Sequence, residues 1–150
     1  GDEILASCPN KWYNGKVYTP SQYNLWSYNG YGFDYNMRII RYAEILLIYA
    51  EAKVQGATVT GFLGAQAALD AVRDRAGLSH VAATLDNIYD ERRAELAMEE
   101  NRFFDLVRTG KAASALGSLG YKSGKNEYFP IPDAQIKLNK GLSQSTGYTY

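Results

Sequence analysis

Four carboxylates crowd one short stretch of the chain: Glu91, Glu95, Glu99 and Glu100, within ERRAELAMEENRFFDL at residues 91–106. Paired carboxylates can hydrolyse a glycosidic bond when they face each other across a substrate cleft. Combined with Glu-x-x-His pairs, they can hold two iron atoms inside a helical bundle. The second chemistry is excluded by composition, because the chain has one histidine, His80, which follows Leu78-Ser79 in a predicted loop. The first needs opposed carboxylates, which spacing along one helix does not establish. Arg92 and Arg102 stand three residues from Glu95 and Glu99, a spacing that pairs side chains on a helix surface. Arg41 and Glu44, on an earlier predicted helix, supply further partners. We therefore read Arg41, Glu44, Arg92, Glu95, Glu99 and Arg102 as a structural ion network. Charges set among Ile88, Leu96, Phe103 and Leu106 must be paired to be tolerated. No catalytic residue is assigned.

Other chemistries fail on spacing or count. Ser79-His80 lacks the G-x-S-x-G turn that exposes a nucleophilic serine. One histidine and one distant cysteine, Cys8, supply no zinc set, and no metal or cofactor is expected. Gly120-Tyr-Lys-Ser-Gly124-Lys125-Asn126 is one residue short of a phosphate loop, and Asn126 replaces the hydroxyl that would reach magnesium. Sixteen basic and sixteen acidic residues cancel, so the electrostatic footprint of a nucleic-acid binder is missing. The longest apolar run, Ile45–Ala50, falls far short of the roughly 20 residues that span a bilayer. Leu5-Ala6-Ser7-Cys8 resembles a lipobox, but only Gly1–Ile4 precede it, where a leader would place an apolar stretch of about 7–15 residues. The match is read as coincidence, with any anchor lying outside these residues.

One segment has the chemistry of sugar recognition. Trp12, Tyr13, Tyr18, Tyr23, Trp26, Tyr28, Tyr31, Phe33 and Tyr35 lie close together in a stretch that also carries Asn14, Asn24 and Asn29. Flat aromatic rings cover the C–H face of a pyranose while amides bond its hydroxyls. Trp12, Tyr13, Trp26, Tyr28 and Tyr31 are the candidate glycan contacts, Trp26 and Tyr28 foremost. Packing of these rings against the rest of the protein is the competing reading.

The elements that would position these groups change character near residue 37. Residues 1–37 read as loops with one or two short hairpins, turned at Asn14-Gly15 and Asn29-Gly30. Residues 38–150 read as one helical domain, and the fold class is mainly α. A first helix carries Ile39, Tyr42, Ala43, Leu46, Tyr49 and Ala50 on one stripe with Ile40, Leu47 and Val54 on another, and ends at Gly56. Apolar around most of its circumference, it is expected to pack on several sides. A second helix begins between Thr60 and Gln66 and ends at Gly77, forming an antiparallel, tetratricopeptide-like hairpin with the first. A third, capped by Thr84 or Asp86, is predicted to run unbroken to about Arg108. A short helix spans Lys111–Leu116, Tyr128–Pro132 is extended, and a last turn runs from Pro132 through Leu138. The polar tail after Asn139 is expected on the surface.

Taken in order, five blocks resemble the C-terminal region of the SusD/RagB family, the glycan-binding surface lipoproteins of Bacteroidetes outer membranes. They are RYAEILLIYAEA at 41–52, LDAVRDRAGL at 69–78, ERRAELAMEENRFFDLVRTG at 91–110, FPIP at 129–132 and the closing Gly147-Tyr148. The family pattern often has glycine and histidine before the aromatic pair, where Glu100-Asn101-Arg102 stand here. It often has tryptophan where this chain has Thr109. Family members are much longer, so the resemblance implies a C-terminal fragment.

What the resemblance implies is non-catalytic capture of an oligosaccharide or polysaccharide, starch-like in kind, at the outer-membrane surface. It implies nutrient uptake with a SusC-like TonB-dependent transporter as partner, a lipid anchor elsewhere in the chain, and no cofactor. The alternative is a helical-repeat module that binds protein and no sugar.

Overall fold

The computed structural model describes residues 14–16, 38–58 and 64–149. Among these residues there is no strand; the elements are α1 (Tyr42–Val54), α2 (Ala65–Arg75), α3 (Leu85–Glu95), α4 (Arg102–Arg108), α5 (Ala112–Leu116), a 3-10 turn (Gly117–Leu119) and α6 (Asp133–Leu138). Packing divides the chain into two compact units at Met98–Glu99.

In the first unit α1 packs on both α2 and α3. Leu47, Ala50, Ala68, Leu69, Val72 and Ile88 are buried almost completely and form the core with Ala43 and Leu46. The alanines at the contact let the backbones approach closely, as the sequence predicts for a hairpin. Directions follow from the side-chain partners. The start of α1, at Arg41, meets the ends of α2 and α3 at Arg75 and Glu95, while Glu51 near its end meets Tyr89 earlier in α3. Helix α1 therefore runs against both neighbours.

The return from α2 to α3 is a strap laid back along α2. Arg73 Nε donates to Ser79 O at 2.6 Å, and Gln66 Nε2 donates to Val81 O at 2.8 Å. Gln66 Oε1 accepts from Ala83 N at 2.8 Å. Thr84 then caps α3, its hydroxyl accepting from Asn87 N at 3.3 Å, which settles the choice between Thr84 and Asp86. At the other end of α2, Gly77 stands at φ 69° and Leu78 N donates back to Arg73 O at 2.9 Å. This closure needs a left-handed residue that only glycine adopts cheaply, and Gly56 and Gly110 end α1 and α4 the same way.

The predicted single helix from Thr84 to Arg108 is broken. Helix α3 stops at Glu95 and α4 begins at Arg102, with Met98 at φ 65° and Glu100 at φ 66° between them. No proline or glycine marks the site. The carbonyls left without helical partners at the end of α3 are met by side chains: Glu95 O accepts from Arg41 Nη2 at 3.0 Å and from Lys16 Nζ at 2.5 Å. Met98 O accepts from Asn14 Nδ2 at 3.3 Å. Cations at a helix C-terminus also complement its dipole. The helix ends where charge and amides come to receive it.

In the second unit, Leu106 and Ala112 are the buried apolar residues of α4 and α5. Phe103 stacks edge-on with Phe104 and Tyr121, at centroid separations of 5.9 and 6.4 Å. The predicted Lys111–Leu116 helix forms as α5, and Pro132 precedes α6. The extended Tyr128–Pro132 stretch contains two prolines and so offers few N–H donors. The tail satisfies its remaining groups with side chains. Gln144 Oε1 accepts from Ile131 N at 2.8 Å, and Gln144 Nε2 donates to Ile131 O at 3.0 Å. Ser145 Oγ donates to Phe129 O and Tyr148 Oη to Tyr128 O, at 2.9 and 3.0 Å. Gly147, at φ 80°, passes so close to Lys125 that an added Cβ would stand 2.9 Å from Lys125 Cβ.

Candidate functional site

The candidate glycan contacts Trp12, Tyr13, Trp26, Tyr28 and Tyr31 lie outside the described residues. Of the amides beside them, Asn14 is described, and both ends of its side chain are engaged: Nδ2 with Met98 O, and Oδ1 accepting from Lys16 N at 3.1 Å. It serves the end of α3.

The charged residues of the first unit converge where α1 begins and α2 and α3 end. Arg41 Nη1 donates to Glu95 Oε1 at 2.9 Å, and Arg75 Nη2 reaches Glu95 Oε2 at 2.7 Å. Glu91, 5% exposed, is held by Arg73 of α2. Arg92, equally buried, lies 3.8 Å from Glu44. Two guanidinium groups on opposite sides thus hold the Glu95 carboxylate, each oxygen taking one donor. Carboxylates so enclosed hold elements together; they present no open face to a substrate.

Of the six residues expected in the network, the structure joins Arg41 with Glu95 and Glu44 with Arg92. Glu99 and Arg102 lie beyond the break after Glu95 and belong to the second unit. Arg73 and Arg75 were missed by sequence reasoning. Their only signal is a pair of basic residues in the last turn of α2, a place equally explained by the helix dipole.

His80 sits on the strap between two carboxylates, with Nε2 2.6 Å from Asp74 Oδ1 and Nδ1 3.6 Å from Asp70 Oδ2. The hydrogen bond with Asp74, reinforced by the charges of Asp70 and Asp74, raises its pKa. Each ring nitrogen is turned to a carboxylate, an arrangement for a clasp. Among the described residues, no group of three histidine, cysteine or acidic side chains is placed to hold a metal ion.

In the second unit, burial and a hydrogen bond to Glu127 push the Tyr121 hydroxyl up to about 12. The same bond is the main cause of a lowered Glu127 pKa, with the backbone N–H groups of Glu127 and Gly124 adding to it. Lys125 Nζ lies 4.6 Å from the Tyr148 ring centroid. The Tyr121–Glu127 bond closes the 120–128 loop on itself, and Lys125 ties that loop to the tail. Among the described residues, no helix is long and apolar enough to cross a membrane.

Comparison with known proteins places these features in a family. The SusD family model matches residues 5–148. Among solved structures, a laminarin-binding SusD-like protein is 48% identical, with a TM-score of 0.64, over 73% of this chain and 22% of its own. Surface glycan-binding protein A from Bacteroides thetaiotaomicron is 41% identical, with a TM-score of 0.69, over 80% of this chain and 26% of its own. The same protein in complex with laminarihexaose matches at 41% identity and a TM-score of 0.68, over 79% of this chain and 27% of its own. No curated protein sequence matches. The chain therefore spans about a quarter of the length of these solved structures. Over nearly all of its own length, it belongs to the SusD family.

Proposed function

We propose that this chain is the C-terminal part of a non-catalytic glycan-binding protein of the outer-membrane surface. The complete protein captures an oligosaccharide of the laminarin type and passes it to a SusC-like TonB-dependent transporter, held to the membrane by a lipid anchor outside these residues. The observation that carries this reading is the 48% identity to a laminarin-binding SusD-like protein. Within the chain, residues 38–150 act as scaffold, and the aromatic segment 1–37 supplies whatever sugar contact this part makes, through Trp12, Tyr13, Trp26, Tyr28 and Tyr31. The arginine-held carboxylates Glu91 and Glu95 support binding without turnover, because a glycosidase acid must reach the glycosidic oxygen.

The test is affinity electrophoresis of the full-length protein through gels containing laminarin or amylopectin, with reducing-sugar release measured alongside. Retardation by laminarin without release of reducing sugar is the expected result. Free migration in both gels, together with a protein partner recovered in stoichiometric amount, would replace this reading with the protein-binding module.

A further inference from the structure

The turn that carries Asn14 onto the end of α3 holds a reactive pair. Asn14 is followed by Gly15, which is exposed, and a Cβ added there would meet nothing within 4 Å. No side chain therefore shields the Gly15 peptide nitrogen from the Asn14 carboxamide. That carboxamide is held at both ends, Oδ1 accepting from Lys16 N at 3.1 Å and Nδ2 donating to Met98 O at 3.3 Å. The first contact polarises the Cγ carbonyl toward attack. The second is exposed and longer than an ordinary N–H···O bond, so it delays the amide without locking it.

We propose that Asn14 is a modification site, where spontaneous deamidation turns the amide that caps α3 into a carboxylate that opposes it. The Gly15 nitrogen gives its proton to water and bonds to Asn14 Cγ. The Cγ–Nδ2 bond then breaks, and Nδ2 takes a proton from water and leaves as ammonia. A succinimide ring remains, and water opens it at either carbonyl to give aspartate or isoaspartate. Water enters, ammonia leaves, and nothing is oxidised or reduced. Both products lose the donor that Met98 O receives. The new charge also stands at the carbonyl end of a helix, where the dipole disfavours an anion. It competes for Lys16 as well, whose ammonium donates to Glu95 O at 2.5 Å. No proline or glycine ends α3, so losing these donors loosens the left-handed turn at Met98. The proposal does not depend on which glycan is bound.

Tryptic mapping of the full-length protein, incubated at mildly alkaline pH, tests it. The peptide Trp12–Lys16 should give two products in which hydroxyl replaces amine, eluting as the aspartate and isoaspartate forms. With one exposed hydrogen bond to break, the native rate should lie about tenfold below that of the urea-unfolded chain. Gly15 stands outside the left-handed region and has open space around it. Gly15→Ala therefore keeps both Asn14 contacts, while its methyl group crowds the attacking nitrogen and should slow conversion several-fold. In freshly prepared Asn14→Asp, hydrogen exchange at residues 94–98 should accelerate about tenfold, with exchange around Ile88 unchanged. A native protein that keeps Asn14 intact while the unfolded chain converts would overturn the proposal, as would conversion that Gly15→Ala leaves equally fast. So would equal exchange in Asn14→Asp and the parent, because the modification would then leave α3 untouched.

Discussion

At the scale of residues, the decisive group is Glu95, whose carboxylate receives Arg41 and Arg75 and whose carbonyl receives Arg41 and Lys16. Glu95→Gln keeps the backbone cap but removes the charge both arginines face. It is expected to cost about 2 kcal/mol, within the range for charged hydrogen bonds in a partly buried site, read from urea unfolding. A double-mutant cycle with Arg41→Met should return a coupling of at least ~1 kcal/mol. His80 gives a prediction of opposite pH sense to that of a paired acid. Its folded pKa is raised, so its stabilising contact is fully present below the unfolded imidazole value of about 6.5. It is lost as pH rises through the folded value. An NMR titration should find the His80 midpoint above 6.5, and Asp74→Asn should move it down. An unchanged midpoint in that variant would mean Asp74 is not the partner that matters.

Elements differ in how much their own residues say about them. Glycines, Thr84 and Pro132 mark the ends of α1, α2, α3 and α6 because each supplies a backbone geometry or cap that its neighbours cannot. The α3–α4 break carries no such mark. Leu96-Ala97-Met98-Glu99-Glu100 consists of good helix formers, and what stops the helix is a set of donors from Asn14, Lys16 and Arg41, 54 to 84 positions distant in sequence. Local propensity lost to tertiary hydrogen bonding. The choice of Arg73 and Arg75 as partners was hidden for the same reason, since it depends on which helix ends meet. Met98→Gly distinguishes the two pictures. In an unbroken helix it costs about 1 kcal/mol; at φ 65° it relieves a left-handed residue and should leave the thermal midpoint unchanged or raised.

For the whole molecule, the sequence was most telling about family and least about ligand. The blocks that carry the resemblance are largely those of the scaffold: the core of α1 and α2, the arginine-bound glutamates of α3 and the FPIP stretch. Sugar contacts belong to surface segments, where sequence is freer to vary. The proposed aromatic contacts predict that Trp26→Ala and Tyr28→Ala in the full-length protein weaken laminarin binding about tenfold, roughly 1.4 kcal/mol each, by isothermal calorimetry. Unaltered affinity in both would assign the segment to packing. One further consequence follows from Gln144, which grips both backbone groups of Ile131 across 13 residues, while Ser145 and Tyr148 fasten the chain to Phe129 and Tyr128. The stretch between behaves as a ring closed without a covalent bond. A protease that nicks this ring around α6 should therefore yield two fragments that comigrate on a native gel and separate only in detergent.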